Sequence, residues 1–440
     1  MIYSAVKLSR KATNFARTAW LGSLSNKPFL FTPSSTSPLR LFHEKINGPN
    51  ASPVALQMID YALSLAKSQK SVDESYGQAM LVLEQCLSSQ SSEGKDFVTQ
   101  NSKGMVLLAM SNLLFERENY DEAVEKLQQI QDLDNSSLGV RVSAMEALVG
   151  LNLELGNDDT SSVLADKCLE LLGKDEYEST VGDFAVANAR AKAVKGLVEL
   201  VRGNLGLAEP LFQGFQDSEG CVGNGALSYG EFLHAKRNFS LAKDLYHKVI
   251  NEVAEKKDFN GIHALAACNM VAEEVLLAAI CALGQLQAHM GKFSDAEETL
   301  TKALNKAEEL FGSRHPKVGV VLTCLALMFR HKAAQEQSSS LLIQEGLYRR
   351  AIDLLKAPPM DSDGSMRMGS STRRDIVALA KGGYAEALCV QQNRKSEGEK
   401  MKRWADAAWR NTRISLTEAL KFSESSEKLP VIDARIGRAI

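Results

Sequence analysis

Apolar residues recur along this chain with the rhythm of amphipathic helices, and one apolar pattern repeats. In each copy a large apolar residue is followed three positions later by Ala, and four positions after that by another large apolar residue. These offsets place all three side chains on one helix face, and the central Ala allows a neighbouring helix to approach closely. The six copies are Tyr76/Ala79/Leu83, Tyr120/Ala123/Leu127, Leu205/Ala208/Phe212, Phe239/Ala242/Tyr246, Phe293/Ala296/Leu300 and Tyr348/Ala351/Leu355.

A second helix is predicted before most copies, because a small residue stands nine positions upstream of the pattern. These small residues are Ser111, Gly196, Gly230 and Gly284. A glycine two positions before the pattern, as at Gly203, Gly291 and Gly346, supplies the backbone angles of a tight turn between two helices. The chain is therefore predicted to be a series of helical hairpins.

The spacing of the copies is irregular. Successive copies begin 44, 85, 34, 54 and 55 residues apart. The gap of 85 contains a degenerate copy from Leu151 to Leu172, with Gly156 at its turn. The last gap is interpreted as a repeat of 42 residues with 13 residues inserted before Gly346.

The stretch from Ile280 to Ala303 resembles the consensus of the tetratricopeptide repeat (TPR). The period of 42 and the His315-Pro316 pair are similar to the kinesin-light-chain-like subtype. The resemblance covers roughly residues 52–357. It implies an all-α fold, namely an α-solenoid (a right-handed superhelix) of about seven TPR-like helical hairpins with a C-terminal capping hairpin.

Four regions are predicted along the chain. The cap is expected to contain helices at about 374–391 and 396–422, the second of which carries Trp404 and Trp409. The regions are a disordered targeting presequence (1–42), a TPR-like helical array (43–357), a loop (358–373), and a helical cap with a tail (374–440).

Residues 1–42 predict import into an organelle. They contain six basic residues and no Asp or Glu, and Leu8, Ala12 and Phe15 fall on one face of a potential helix. A basic amphipathic helix followed by a Ser- and Pro-rich stretch resembles a mitochondrial presequence. The expectation is an organelle-targeted, plant-like TPR protein of the mitochondrion, with the chloroplast as the alternative.

Charge and motif content argue against several functions. Without residues 1–42 the chain has 51 − 6 = 45 basic and 54 acidic residues, a net charge of −9, which disfavours binding to nucleic acid. The seven cysteines form no C-x-x-C pair and are interpreted as buried thiols. No phosphate loop, zinc-protease motif or nucleophile elbow is present in the sequence. We therefore expect no enzyme activity, no cofactor, no metal and no membrane span.

The TPR resemblance implies a ligand groove lined by the first helix of each hairpin. The usual ligand-facing positions are the residue after the small marker and those three and four further on. The main candidates are Asn112, Glu116, Glu231, His234, Gln285, His289, Arg330 and His331, and the same positions also include Phe115, Ala235, Ala288 and Leu327. The clamp with which some TPRs bind a chaperone's terminal carboxylate is incomplete, because Leu108 stands where Lys is needed.

The predicted function is a protein–protein interaction scaffold or assembly factor in an organelle, which binds peptides or helices of partner proteins in this groove. The partner and the oligomeric state are left open. One alternative is an organellar RNA-binding helical-repeat protein of the pentatricopeptide type, although such arrays keep a constant period and are basic. The other alternative is an accessory subunit of an enzyme complex. Kinesin-type cargo adaptation is disfavoured, because the chain lacks a heptad coiled coil and carries a presequence-like segment.

Overall fold

The protein is described by a computed structural model, and its described residues belong to one compact unit that spans Asn47–Ile440. The predicted presequence and residues 358–372 of the predicted loop lie outside the described residues. The described residues are 51–68, 73–90, 96–174, 181–215, 221–255, 265–338, 340–356, 373–421 and 428–440.

The described part is almost entirely helical. The α-helices are α1 Pro53–Ser68, α2 Asp73–Ser89, α3 Phe97–Glu116, α4 Tyr120–Gln131, α5 Leu138–Leu155, α6 Asp158–Lys174, α7 Val181–Val201, α8 Leu205–Phe212, α9 Gly223–Ala235, α10 Phe239–Glu255, α11 Ala272–His289, α12 Phe293–Phe311, α13 Pro316–Gln335, α14 Leu341–Leu354, α15 Arg374–Cys389, α16 Lys395–Ala408 and α17 Leu416–Leu420. Short 3₁₀ helices span Cys268–Met270 and Gln392–Arg394, and two strands span β1 Ile432–Asp433 and β2 Arg438–Ala439.

Consecutive helices pair as hairpins, from α1/α2 to α15/α16. The first helix of each hairpin also contacts the first helix of the next hairpin, so the odd-numbered helices from α1 to α15 form an inner row. Seven hairpins therefore precede the terminal pair α15/α16 in the described residues. The predicted all-α solenoid with a capping hairpin is confirmed. No helix in the described ranges is long and apolar enough to cross a membrane.

The repeated apolar pattern forms the contact inside each hairpin. The central Ala of all six copies is fully buried. A Cβ added at Gly284 would lie 2.6 Å from Cγ of Leu300, the last residue of its pattern. Gly196 and Gly230 are held against Phe212 and Tyr246 in the same way. The small residue is therefore required because the second helix packs directly on the backbone of the first.

The turns between helices confirm two of the three predicted turn glycines. Gly203 and Gly291 have φ angles of 78° and 72°, in the left-handed region that glycine adopts without strain. The prediction for Gly346 is wrong, because Gly346 lies inside α14. The helix begins earlier because Gln344 continues the buried face of Tyr348, and the turn is made by Gln337 with φ 50°.

The prediction of one long helix over 396–422 is also wrong, because α16 ends at Ala408. The side-chain oxygen of Asn411 accepts hydrogen bonds from the main-chain N–H groups of Arg413 and Ile414, both at 2.9 Å. Such a local bond gives the backbone an alternative to the helical pattern. Ser415 then caps the short helix α17.

The cap also touches earlier hairpins. The main-chain N–H of Arg373 donates to the carbonyl oxygen of Glu154 at 3.0 Å, and the Thr412 hydroxyl donates to the carbonyl oxygen of Arg202 at 2.9 Å. The array therefore curves far enough for the residues that flank its last hairpin to contact the ends of α5 and α7.

Candidate functional site: the inner groove

The inner row of helices forms the predicted groove, and two segments of the same chain lie in it. We call residues 265–271 the inner loop and residues 428–440 the groove segment. The inner loop precedes α11 and contacts α3 and α5. The groove segment follows the cap and contacts α11 and α15. The candidate site is therefore built from the inner helices together with these two segments.

The groove segment is a tight two-stranded hairpin. Ile432 pairs with Ala439 and Asp433 with Arg438 in antiparallel register. Gly437 closes the turn with a φ angle of 62°, and its N–H donates to the carbonyl oxygen of Asp433 at 2.9 Å. Every residue from 429 to 440 is buried. The surrounding helices must therefore satisfy the polar groups of this segment.

Two helices bind its main chain. The side-chain amide of Gln285 in α11 both donates to and accepts from the main chain of Ile432. The Lys317 ammonium of α13 donates to the carbonyl oxygens of Ala434, at 3.1 Å, and of Arg435. These contacts depend on backbone geometry, so they fix the position of a non-helical segment without selecting its sequence.

A pocket on α9 binds the first arginine of the segment. Arg435 donates from Nη2 to Glu231 at 2.7 Å and to the Ser228 hydroxyl at 3.1 Å, and from Nη1 to the Asn224 side chain at 3.1 Å. Asp433 of the segment itself also accepts from Arg435, at 2.9 Å. Positions 224, 228 and 231 share one face of α9, because they are four and three residues apart.

A second pocket binds Arg438. Its Nε donates to Asp375 of α15 at 2.6 Å, and its Nη atoms donate to Asp158 of α6 at 2.8 and 3.0 Å. Nη1 also donates to the carbonyl oxygen of Leu153 at 2.9 Å. Because α6 and α15 belong to hairpins far apart in sequence, this single guanidinium connects the middle of the array to its cap.

The α9 pocket contains more acid than base. Burial raises the pKa of Glu231 well above its ordinary value, the Asp433 carboxylate raises it further, and Arg435 opposes both effects. Glu231, Asp433 and Arg435 are all fully buried. Two buried acidic side chains therefore face one guanidinium, and Arg435 is the cation that opposes the neutral form of Glu231.

The inner loop is bound by a matching set of polar side chains. The Asn112 side chain accepts from the main-chain N–H of Cys268, and the Ser143 hydroxyl donates to the carbonyl oxygen of Leu265 at 2.8 Å. Asn269 of the loop donates to the carbonyl oxygen of Gly150 at 2.9 Å. This half of the groove therefore also holds a non-helical segment by its backbone.

Three predicted groove histidines form a row across α9, α11 and α13, which we call the histidine stack, and the rings of His234 and His289 meet edge to face. Nε2 of His234 lies 2.8 Å from Nδ1 of His289, and the rings of His289 and His331 are 5.9 Å apart. Burial lowers the pKa of all three, to about 4 for His289, so the rings are neutral at pH 7. No cluster of His, Cys, Asp or Glu that could hold a metal is found among the described residues.

A small cavity lies between this stack and the groove segment. Its volume is about 20 Å³, roughly enough for a single water molecule. Its polar lining comes from Gln285, His289 and His331, and Pro430 and Ile432 close it from the segment side. The groove segment therefore packs closely on the histidine stack and leaves no room for a larger ligand there.

Four buried charges lie at the centre of the array. Lys317 and Glu274 are paired at 3.0 Å, and Arg373 and Glu154 at 2.7 Å. Burial raises the pKa of Glu274 to about 7, against the opposing effect of Lys317. All four side chains are at most 5% exposed, so this cluster connects helices and is not open to a substrate.

All eight predicted groove residues lie on the inner helices α3, α9, α11 and α13. Glu231 and Gln285 contact the groove segment, Asn112 contacts the inner loop, and the three histidines form the stack. Arg330 pairs with Glu386 and donates to the carbonyl oxygen of Leu420 at 2.7 Å, whereas Glu116 is exposed. Whether these residues bind a partner stays a prediction.

Six further residues of this site were not predicted from the sequence, because they lie outside the family positions or in residues 428–440. The β-branched residues Val431, Ile432, Ile436 and Ile440 around Gly437 are typical of a strand and turn, and this signal was available. The missed residues are Asn224, Ser228, Lys317, Asp375, Arg435 and Arg438.

Comparisons with known proteins add little. No family model matches the chain, and no curated protein matches it. The chain is similar to the crystal structure of BtubC (BKLC) from P. vanneervenii, with 13% sequence identity and a TM-score of 0.32. The match covers 67% of this chain and 90% of that one. The solenoid fold is shown by the contacts between the helices of this chain.

Proposed function

We propose that this protein is a non-enzymatic interaction scaffold that holds an extended segment of a partner protein in its inner groove. The helical-repeat fold is consistent with an interaction scaffold. The observation that carries the proposal is the occupied groove itself. Gln285 and Lys317 bind the main chain of a non-helical segment, and the carboxylates of α6, α9 and α15 bind its arginines. These side chains are suited to bind a peptide of similar chemistry from another protein.

The proposed setting is an organelle, the mitochondrion before the chloroplast, where the protein serves as an assembly factor for a protein complex. The support is the acid-free, basic segment of residues 1–42. The acidic remainder of the chain and the acidic arginine pockets favour protein ligands over RNA. An accessory role in an enzyme complex would use the same groove and differs only in the identity of the partner.

The test is affinity purification of the tagged full chain from isolated organelles, with mass spectrometry of the bound material. We expect a protein partner in stoichiometric yield. Glu231→Gln should lower this yield at least fivefold, because it removes the α9 carboxylate that binds an arginine. The matched control is Glu84→Gln, at an exposed position on α2, which should leave the yield unchanged. Stoichiometric RNA in place of protein, or equal yields from both variants, would contradict the proposal.

A further inference from the structure

We infer that the inner groove selects partner segments with the pattern Asp-x-Arg-x-x-Arg, and that the groove segment competes with such partners for the groove. The inference rests on the proposed function, because it states the chemistry of the partner. It is drawn from residues 433–438, in which Asp433, Arg435 and Arg438 meet all the charged groups of the two pockets.

The α9 pocket fits the fork of an arginine. Nε and Nη2 of Arg435 both face Asp433, Nη2 also faces Ser228 and Glu231, and Nη1 faces Asn224. These acceptors surround a planar group from several sides. A lysine ammonium carries three donors on one atom and cannot reach all of them. The pocket therefore discriminates between the two cations.

The second pocket sets the spacing between the two arginines of the pattern. Arg438 follows Arg435 by three residues, and Gly437 between them has a φ angle of 62°, which turns the chain back. Arg438 then reaches Asp375 at 2.6 Å and Asp158 at 2.8 Å, on helices remote from α9. A segment with only one arginine would leave one of the two pockets without a cation.

The same charges explain why the groove exchanges its occupant and does not stand empty. Glu231 and Asp375 are at most 1% exposed, so loss of the guanidinium groups would leave buried carboxylates without a cation. A competing arginine removes this penalty. The side chain of Asp158 is 30% exposed, so the Arg438 pocket is the end that opens to solvent. We infer that exchange begins there.

The experiment uses fluorescence anisotropy to measure how fast the full chain takes up a fluorescein-labelled peptide. The peptide has the sequence of residues 428–440. Gly437→Val loosens the resident segment, because valine is strained at positive φ. The matched control is Gly214→Val, which places the same strain at φ 70° in an open turn after α8. We expect uptake to be at least tenfold faster in Gly437→Val than in the wild type or in Gly214→Val. The wild-type rate should not depend on peptide concentration, because the resident segment must leave first.

The arginine requirement is tested with altered peptides on the Gly437→Val chain. Peptides in which both arginines are replaced by Ala, or both by Lys, should bind at least tenfold more weakly than the unaltered peptide. Equal binding of the three peptides would overturn the inference. Absence of any uptake by Gly437→Val would overturn it as well, provided that circular dichroism shows a helical protein.

The outcome separates this inference from the proposed function. If the arginine peptide binds selectively but no protein co-purifies from organelles, the proposed function fails and the chemistry of the groove stands. If a partner co-purifies in equal yield with the wild type and with Gly437→Val, the proposed function stands and the competition fails. We expect the yield to rise at least threefold with Gly437→Val.

Discussion

The side-chain amide of Gln285 pairs with both main-chain polar groups of Ile432. Nε2 of Gln285 donates to the carbonyl oxygen of Ile432 at 2.9 Å, and Oε1 accepts from its N–H at 2.8 Å. A neighbouring strand would bond to Ile432 in the same way, so α11 acts as an additional edge for β1. Because Ile432 is only 1% exposed, both bonds are shielded from bulk water.

Gln285→Ala is expected to lower the free energy of unfolding by about 2–4 kcal/mol, because it leaves a buried donor and a buried acceptor without partners. The measurement is urea denaturation at pH 7. Gln78→Ala, at an exposed position on α2, serves as the control and should change stability by less than about 0.5 kcal/mol. Equal stabilities of the two variants would show that the groove segment does not occupy the groove in solution.

Two Gly→Ala substitutions should have opposite effects. At Gly284 the new methyl group would lie 2.6 Å from Leu300, so Gly284→Ala should destabilise the protein by about 1–3 kcal/mol through overpacking. At Gly346 no atom lies within 4 Å, and Gly346→Ala should stabilise α14 by about 1 kcal/mol through helix propensity. Thermal melts compare the variants directly. A loss of stability in Gly346→Ala would mean that α14 begins after this residue.

The hairpins could be predicted from the sequence because their determinants are local. One helix pair is specified by an Ala between two large apolar residues in its second helix, and by a small residue in its first helix, nine positions before the first of these apolar residues. Gly346 misled the prediction because an exposed glycine inside a helix resembles a turn glycine in sequence. The real turn at Gln337 carries no glycine, so composition could not locate it.

The groove could be located from the repeat register, but its occupant could not. The contact between Glu231 and Arg435 joins residues 204 positions apart, and no periodicity connects them. Each of the two residues alone is compatible with an exposed charge. The β-branched residues around Gly437 indicate that residues 431–440 form a strand and turn, but they do not indicate where this segment packs.

The histidine stack predicts a loss of stability in acid. Burial lowers the pKa of His234, His289 and His331, whereas an unfolded histidine titrates near 6.5. Between about pH 6.5 and pH 4 the unfolded chain therefore binds more protons at these three residues, so their contribution to the free energy of unfolding falls as the pH falls through this window. The raised pKa values of Glu231 and Glu274 act in the opposite direction. For His289 alone, whose pKa is about 4, the loss amounts to roughly 3 kcal/mol.

Urea denaturation at pH 7 and at pH 4.5 measures this effect. His289→Gln should reduce the difference between the free energies of unfolding at the two pH values, because the glutamine does not take up a proton. His247→Gln, on the exposed side of α10, is the matched control and should retain the wild-type difference. The same pH dependence in both variants would show that it arises from carboxylates and not from His289.

Arg373 joins the cap to the earlier hairpins, and its replacement should show how much this contact stabilises the protein. Its Nη2 forms an ion pair with Glu154 at 2.7 Å and donates to the Tyr120 hydroxyl at 2.6 Å, so it connects the cap to α5 and α4. Burial favours the neutral form of Glu154, but Lys317 and Arg373 outweigh burial and hold the pKa of Glu154 below its ordinary value. Without Arg373 the carboxylate stays buried and has lost one of its two cations.

Arg373→Met should therefore lower the free energy of unfolding by about 3–5 kcal/mol, the usual effect of removing one partner of a buried ion pair. Glu154→Gln in the same chain removes the isolated charge, so the double variant should recover at least about 1 kcal/mol. Arg314→Met, at an exposed position before α13, is the control and should stay within about 0.5 kcal/mol of the wild type. If Arg373→Met is as stable as this control, the cap does not dock on α5, and the groove would be open at that side to a longer partner segment.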